Sequence, residues 1–172
     1  AREMQERVAQ MVEQADLIWI STFHSMCVRI LRMDIYRLGS YNKNFTIFSE
    51  SDSEKAIKKV LEELNFKDEK FKKVFVSQLS NYKNSGQSLE GYLSTHACEF
   101  NMNDIGKAIL HYEAYLKKNN ALDFDDLLLK TIELFKTCPD VLEYYANRFE
   151  YILVDEFQDT NLVQYALVKM LA

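Results

Sequence analysis

Scarcity of turn-forming residues is the feature that most limits the folds open to this chain. Only four glycines and one proline occur among its 172 residues, whereas the two together average about 12% of a globular protein. Tight β-hairpins depend on glycine and related turn residues, so a β-sandwich or β-barrel is not expected. Hydrophobic residues make up 48% of the chain, enough to bury a core and too many for a disordered protein. The composition therefore predicts a largely helical fold.

The length and the cysteine pattern restrict the domain count and the cellular setting. A chain of this length fits one domain, or one domain core that carries an insert. It has no apolar run of about 18 residues that would span a membrane and no apolar signal-peptide core at its start. The three cysteines (Cys27, Cys98 and Cys138) are odd in number and far apart, which fits neither a disulfide framework nor a Cys-x-x-Cys zinc site. We therefore expect a cytoplasmic protein that does not contact membranes.

Charge is unevenly distributed along the chain. The net charge of −5 argues against a strongly basic nucleic-acid-binding protein. Residues 55–83 nevertheless contain eight lysines against four acidic residues, whereas residues 120–172 contain ten acidic residues against four basic ones. An acidic region of this kind is typical of a metal–nucleotide site, and equally of an ordinary solvated surface.

Two short apolar segments predict the strands of a buried parallel sheet. Residues 17–21 and residues 151–155 are apolar and β-prone, with charged groups only at their ends. The rest of the chain shows apolar residues at helical spacing. Two strands alone do not form a stable sheet, and the chain starts and stops inside predicted helices. The sequence therefore predicts a predominantly α-helical α/β fragment of a longer protein, with residues from about 48 to 120 as a helical insert.

Local signals predict several helix boundaries. Residues 51–54 read as a capping box, and Asp123 is expected to cap a helix that runs to about Phe135. Pro139 suits the first position of the next helix. The glycine-containing stretch at residues 81–91 predicts a loop.

The strongest functional signal is an acidic motif that follows the second predicted strand. Asp155 and Glu156 stand at the carboxyl end of that strand, where ligands bind in doubly wound sheets. An aspartate there can hold Mg²⁺, a neighbouring glutamate can orient or deprotonate an attacking water, and Gln158 can sense the γ-phosphate of a nucleotide. The alternative is an ordinary strand end with Asp159 or Thr160 as a helix cap. The length of the complete motif favours the functional interpretation.

A second signal lies where the first predicted strand ends. Residues 21–25 combine small hydroxyls, exposed amides and a helix N-terminus, which suits a nucleic-acid phosphate. His24 can donate a hydrogen bond to that phosphate, and Phe23 can stack on a base or pack in the core. A capped helix start is the favoured interpretation of this segment taken alone. For Arg29 and Arg32, one turn apart, a solvated face is favoured.

A third signal is the run at residues 122–128. Its three aspartates fall in a predicted first helical turn, where acidic groups complement the helix dipole, and this alone nearly accounts for them. The functional alternative has Phe124 stacking on a nucleobase, which contributes about 1–3 kcal/mol per base without sequence preference. Both interpretations stay open at this point.

Taken together and in this order, the motifs resemble those of the UvrD, PcrA and Rep group of superfamily 1 DNA helicases. Residues 1–4 resemble the tail of motif Ia, residues 21–32 the motif that follows it, residues 122–127 the next short motif, and residues 155–161 motif II. The resemblance covers nearly the whole chain and is strongest to the PcrA-like members.

The resemblance implies a motor that uses ATP and Mg²⁺ to move 3′ to 5′ along single-stranded DNA and to unwind duplex, in DNA repair or replication. Asp155 would coordinate Mg²⁺, Glu156 would activate water, and Gln158 would link the nucleotide state to DNA; these three would also contact the nucleotide. The residues implied in DNA binding are Thr22, Phe23, His24, Asp123 and Phe124. The implied partners are single-stranded DNA and junctions of single- and double-stranded DNA, together with repair or replication proteins.

The resemblance also implies a subdomain organisation and a limit on activity. Residues 1–47 and 121–172 would form part of the RecA-like P-loop subdomain 1A, including its Walker B motif, and residues 48–120 the helical insert 1B. The sequence contains no Gly-x-x-x-x-Gly-Lys-Thr phosphate loop, so we expect this chain alone not to hydrolyse ATP. Two alternatives stay open: a non-catalytic DNA- or protein-binding module, and a helicase subunit of a helicase–nuclease complex.

Overall fold

The fold consists of α-helices and one short parallel strand pair. The computed structural model describes residues 2–172. The α-helices are α1 (Arg2–Met11), α2 (Phe23–Asp34), α3 (Glu50–Glu63), α4 (Glu69–Ser85), α5 (Leu89–Thr95), α6 (Met102–Lys118), α7 (Phe124–Thr137), α8 (Pro139–Arg148) and α9 (Leu162–Leu171). Short 3₁₀ turns lie at Ala15–Leu17, Ile35–Leu38 and Phe157–Asp159. None of the helices within residues 2–172 is both long and apolar enough to cross a membrane.

Polar side chains cap the helices largely where the sequence predicts them. The carboxylate of Asp123 accepts the N–H of Asp126 at 3.0 Å at the start of α7, and α8 has Pro139 at its first position, so both predictions are confirmed. The predicted start of α3 is wrong by two residues, because Ser49 and Asp52 form the capping box. The sequence offers two serine–acid pairs at the spacing of a capping box, Ser49 with Asp52 and Ser51 with Glu54. The earlier pair caps the helix.

The predicted loop at residues 81–91 is shorter than expected. α4 continues to Ser85 and ends at Gly86, which adopts the left-handed conformation with φ of 70°. Glycine adopts this conformation without the Cβ clash that other residues meet. The extension matters because it carries the last turn of α4 towards the start of α7.

The strand pair lies at positions that the sequence does not predict. β1 (Thr46–Ile47) and β2 (Ala121–Leu122) pair in parallel, with Thr46 opposite Ala121. Two short strands are therefore present, but the predicted strands at residues 17–21 and 151–155 are wrong for the described residues. Backbone pairing with a neighbour is what makes an extended segment a strand, and neither segment has such a neighbour within residues 2–172.

The second of these segments is covered on one side only. Ile152 packs against a hydrophobic core, whereas its neighbour Leu153 is 96% exposed. Alternate residues therefore face opposite sides, as they do in a strand that is covered on one face. Trp19 of the first segment packs against the end of α8, where its ring centroid lies 5.2 Å from that of Phe149.

The helices enclose two hydrophobic cores, which we call the body core and the insert core. Buried residues from 27–45 and 122–171 form the body core, and those from 56–121 form the insert core. The chain enters the insert along β1 and leaves it along β2, and beside the strands the side-chain amide of Asn120 donates to that of Asn42 at 2.7 Å. This division lies close to the predicted limits of the insert. Its status as a separate subdomain stays a prediction.

A buried ion cluster joins the insert to the body. Lys83, in the last turn of α4, is 2% exposed, and its Nζ donates to Asp123 Oδ2 at 2.6 Å and to Asp126 Oδ1 at 2.7 Å. The Tyr112 hydroxyl of α6 donates to the same Asp123 oxygen at 3.1 Å. Because the two carboxylates also cap α7, Lys83 fixes the first turn of α7 against the insert.

Burial and charge set the protonation of this cluster. Burial lowers the pKa of Lys83, but Asp126 and Asp123 outweigh it and raise that pKa above its ordinary value. Burial raises the pKa of Asp126 to about 6, with Lys83 opposing this shift and Asp123 adding to it. One lysine faces two carboxylates, so the cluster is negative when both are ionised and neutral when Asp126 binds a proton.

Removing the lysine charge is expected to destabilise the chain strongly. Lys83→Met leaves two buried carboxylates without their cation, and breaking a buried ion pair in this way costs about 3–5 kcal/mol. Urea unfolding followed by circular dichroism measures the loss. Lys72→Met is the matched control, because its lysine lies on the same helix with a 34% exposed side chain, 4.0 Å from Glu69, and we expect it to cost less than about 1 kcal/mol. Equal losses for the two variants would contradict the role of Lys83.

The raised pKa of Asp126 predicts a distinct pH dependence. The folded chain binds this proton more tightly than the unfolded chain, so the contribution of Asp126 to stability is complete below pH about 4 and decreases as the pH rises through about 6. The decrease is on the order of 1–3 kcal/mol. Unfolding free energies measured from pH 4 to 7 should therefore differ in slope between the parent chain and Asp126→Asn. Glu133→Gln, an exposed acid on the same helix, should leave the slope unchanged, and parallel curves for all three proteins would contradict the assignment.

Candidate functional site

Two of the predicted motifs meet in one stacked pair of rings. His24 lies in the first turn of α2 and Phe124 at the first position of α7, and these two helices pack against each other in the body. The ring centroids are 3.8 Å apart and the ring planes differ by 22°. Phe124 remains 58% exposed. The pair therefore presents an aromatic surface to solvent, which we call the aromatic pair.

The residues next to His24 have clear local roles. The Thr22 side chain is exposed, and its Oγ1 accepts the Ser25 N–H at 3.2 Å, so Thr22 caps α2 as the ordinary interpretation of this segment predicts. Phe23 is half-buried and packs against the body core. Contact of either side chain with a nucleic acid stays a prediction.

Electrostatics at the aromatic pair favour a neutral imidazole. Partial burial lowers the pKa of His24, and the nearby carboxylate of Asp125 opposes this only in part. Burial raises the pKa of Asp125 itself, and Asp123 adds to that shift. His24 is therefore mostly neutral at pH 7, and its contact with Phe124 is one of ring stacking.

Asp123, a predicted DNA-binding residue, is buried and engaged within the protein. Its carboxylate accepts hydrogen bonds from Lys83, from the Tyr112 hydroxyl and from the Asp126 amide. In this position it supports the turn that carries Phe124. Direct contact between Asp123 and DNA stays a prediction.

Lys83 is the residue that the sequence analysis missed. The signal that identifies it is its position four residues after Leu79, on the buried face of α4. A lysine on a buried helix face needs a buried counter-ion. The run of three aspartates at residues 123–126 is the acidic group that supplies it.

The acidic motif forms a self-contained loop in front of α9. Asp155 Oδ1 accepts the Glu156 N–H at 3.0 Å, and the Gln158 side-chain amide donates to the Glu156 carboxylate. All three side chains are exposed. The cap of α9 is Asn161, whose Oδ1 accepts the Gln164 N–H at 2.8 Å, so the alternative assignment of that cap to Asp159 or Thr160 is wrong.

Glu156 occupies an unusual backbone conformation. Its φ of 51° lies in the left-handed region, which is uncommon for residues other than glycine, asparagine and aspartate. Such conformations cost on the order of 1–3 kcal/mol and concentrate at functional sites. The conformation and the two hydrogen bonds hold the carboxylates of Asp155 and Glu156 towards solvent.

The donor set of this loop suits a magnesium ion held jointly with phosphate. Mg²⁺ in nucleotide sites is bound by one or two carboxylates together with phosphate oxygens and water. No cluster of three or more acidic, histidine or cysteine side chains suited to a metal occurs within residues 2–172. Asp155 and Glu156 follow an unpaired segment, so the prediction that they stand at the carboxyl end of a buried strand is wrong for residues 2–172. Asp155 is nevertheless an exposed carboxylate and fits a site that phosphate oxygens and water complete.

A hydrogen-bond chain connects the end of this loop to the aromatic pair. The side-chain amide of Asn161 donates to Asn84 Oδ1 at 2.8 Å. Asn84 Nδ2 in turn lies 3.4 Å from Asp125 Oδ1, next to Phe124. The chain passes through the insert, because Asn84 is in the last turn of α4.

The two predicted surface arginines have structural contacts. Arg32 donates to the carbonyl oxygens of Lys43 and Phe45 at 2.8 and 2.6 Å and lies over the Phe45 ring, so the solvated-face interpretation is wrong for this residue. Arg29 is exposed, and its guanidinium lies 3.9 Å from the centroid of Trp19.

Two surface clefts lie away from the predicted motifs. Arg29 borders one of about 420 Å³ between α2 and α8, and a second of about 500 Å³ lies between α3 and α4. The acidic loop and the aromatic pair line neither of these two clefts.

Comparison with known proteins identifies relatives along the whole chain. The family model described as the UvrD/REP helicase N-terminal domain matches residues 1–172. The ATP-dependent DNA helicase PcrA of Staphylococcus aureus is 48% identical over 174 aligned residues, and that of Staphylococcus epidermidis is 47% identical over the same length. Each alignment covers 100% of this chain and 24% of the relative. The chain thus spans about a quarter of the length of these helicases.

Proposed function

The chain belongs to the UvrD/REP helicase N-terminal domain family, and from this premise we propose that it is part of an ATP-driven motor that moves 3′ to 5′ along single-stranded DNA and unwinds duplex. The observation that carries the proposal is the stacking of His24 on Phe124. Two segments 100 residues apart, each similar to a helicase motif, contribute one ring each to a single exposed surface. ATP and Mg²⁺ are the proposed cofactors, and the proposed pathways are DNA repair and replication.

At the aromatic pair, the exposed ring of Phe124 stacks on a base of single-stranded DNA. Stacking does not depend on which base is present, so it suits a motor that must pass every sequence. The Thr22 hydroxyl and the N-terminus of α2 receive a phosphate beside it, where the helix dipole favours a negative charge. The lysines of residues 55–83 other than the buried Lys83 would face the junction of single- and double-stranded DNA.

At the acidic loop, the exposed carboxylates receive the nucleotide. Asp155 would hold Mg²⁺, which would supply charge neutralisation at the transferred phosphoryl group when it is bound. Glu156 accepts a proton from the attacking water, and the side-chain amide of Gln158 orients its carboxylate. The left-handed backbone at Glu156 sets the direction of its Cα–Cβ bond, and the bond from Gln158 holds the carboxylate at its end.

The segments at residues 17–21 and 151–155, which form no strands within residues 2–172, would pair only with neighbours that the rest of the motor supplies. The 96% exposed side chain of Leu153 gives a reason for this, because an open apolar face on an extended segment is stabilised by a covering partner. In this arrangement residues 1–47 and 121–172 form part of a RecA-like subdomain 1A, and residues 48–120 form the insert 1B. The division into a body core and an insert core supports it.

We expect ATP turnover to require more of the motor than this chain. The isolated chain should not hydrolyse ATP with or without single-stranded DNA, because its sequence has no phosphate loop. In the full natural polypeptide that carries it, Glu156→Gln should lower kcat by about 100-fold or more while nucleotide binding persists. A phosphate-release assay measures turnover, and Asp159→Asn, an exposed acid in the same loop, is the control that should retain activity. Turnover by the isolated chain that disappears in Glu156→Gln would contradict this expectation.

We expect weak, salt-sensitive binding of single-stranded DNA by the chain itself. Fluorescence anisotropy with a labelled oligothymidylate should give log Kd rising linearly with log salt concentration. Phe124→Ala should weaken binding by about 1–3 kcal/mol, or roughly 5- to 150-fold in Kd, since one stacked base is lost. Phe100→Ala removes a 70% exposed phenylalanine from the insert and should leave Kd unchanged. Absence of binding at low salt, or a Kd insensitive to salt, would contradict the proposed surface.

A further inference from the structure

We propose that Asn84 is a positioning residue that transmits the state of the acidic loop to the aromatic pair. The proposal rests on the proposed function, since it assigns the contact through which the nucleotide and the DNA affect each other. Asn84 belongs to the insert, whereas the acidic loop and the aromatic pair belong to the body. None of the sequence motifs includes it.

The side-chain amide of Asn84 is bonded in two directions. Its Oδ1 accepts from Asn161 Nδ2 at 2.8 Å. Its Nδ2 donates to the Ser80 carbonyl at 3.0 Å and reaches Asp125 Oδ1 at 3.4 Å. A carboxamide offers an acceptor and a donor on one planar group, so the same side chain engages both neighbours.

Each partner lies directly beside one of the two functional elements. Asn161 ends the loop that begins with Asp155 and is also the cap of α9, so a shift of that loop moves its side chain. Asp125 follows Phe124 in the first turn of α7, and its carboxylate acts electrostatically on His24. Asn84 is therefore the one residue that links Asn161, beside the acidic loop, to Asp125, beside the aromatic pair.

The position of Asn84 is fixed by its neighbour. Lys83 is held by Asp123 and Asp126 in the buried cluster, so the end of α4 cannot follow α9 freely. A displacement of Asn161 must then either break its bond to Asn84 or alter the contact with Asp125. Among residues 2–172, the Asn161–Asn84 bond is the one side-chain hydrogen bond between the cap of α9 and the insert. Coupling through a bond that is either made or broken needs no large movement.

Two substitutions break this link at different ends and leave the helix cap intact. Asn84→Ala removes the side chain that contacts both Asn161 and Asp125. Asn161→Asp keeps the oxygen that caps α9, because aspartate is as good a cap as asparagine, but loses the amide that donates to Asn84. Asn103→Ala, an exposed asparagine on α6, is the matched control.

The test is the stimulation of ATP turnover by single-stranded DNA in the full natural polypeptide. We expect each of the two variants to lower the ratio of DNA-stimulated to unstimulated kcat by about 2- to 30-fold. The KM for ATP and the unstimulated kcat should stay within twofold of the parent. Combining Asn84→Ala with Asn161→Asp should give no further loss, because both remove one link. Asn103→Ala should retain the parent ratio.

Restoring a hydrogen-bond donor to the contact between residues 84 and 125 gives a further test, because a merely structural role of Asn84 would not predict recovery of the stimulation ratio. Asn84→Asp keeps the acceptor for Asn161 but sets a carboxylate against Asp125, so it should also lower the stimulation ratio. Adding Asp125→Asn returns a donor and an acceptor to this contact and should recover part of the ratio. Recovery would support transmission through these two side chains.

The outcomes separate failure of this inference from failure of the proposed function. An unchanged stimulation ratio in Asn84→Ala and Asn161→Asp, in a polypeptide that DNA does stimulate, overturns the role of Asn84 alone. An equal loss of stimulated and unstimulated turnover, accompanied by a lower Tm, assigns Asn84 to stability and also overturns it. If DNA does not stimulate ATP turnover by the parent polypeptide, the proposed function is wrong, and the proposed role of Asn84 is wrong with it.

Discussion

The contact of Lys83 with two aspartates is the interaction on which the remaining arrangement depends. A lone buried ammonium or carboxylate is strongly unfavourable, so the three groups are stable in the interior only together. Their meeting requires the end of α4 to lie against the first turn of α7. That contact places Phe124 on the surface, brings Asn84 within reach of α9, and sets the insert against the body. The need to pair these three buried charges thus sets the position of α4 against α7, from which Phe124 and Asn84 extend towards the two candidate sites.

The two candidate sites differ in how they are built. The aromatic pair consists of residues at the starts of two packed helices, and the body core beneath them fixes the geometry. The acidic loop is held by bonds among its own residues, from Asp155 to Gln158, and its side chains are exposed. This contrast fits the proposed function, in which the DNA contact benefits from rigidity whereas the proposed nucleotide-binding loop changes with the state of its ligand.

Local sequence signals predicted the helices well, and non-local features were harder to predict. Asp123 and Pro139 identified helix starts because capping depends on groups within four residues. The strands failed because a strand depends on its neighbour, and residues 151–155 have the pattern of a strand without a paired neighbour in the described residues. The meeting of His24 with Phe124 was foreseen only as two separate motifs. The role of Lys83 was missed because its partners lie 40 and 43 residues away, beyond any periodic pattern.

The parallel pairing of β1 with β2 has a consequence for how the chain folds. Phe45 and Leu122 belong to one core although 76 residues separate them, and closing so long an unfolded segment costs about 4 kcal/mol of chain entropy. The insert core is assembled within that segment, from residues 56–121, so its folding brings the two distant ends together beforehand. The topology therefore predicts that the inner helices form first and that the body core forms afterwards, around a loop that the folded insert has already shortened.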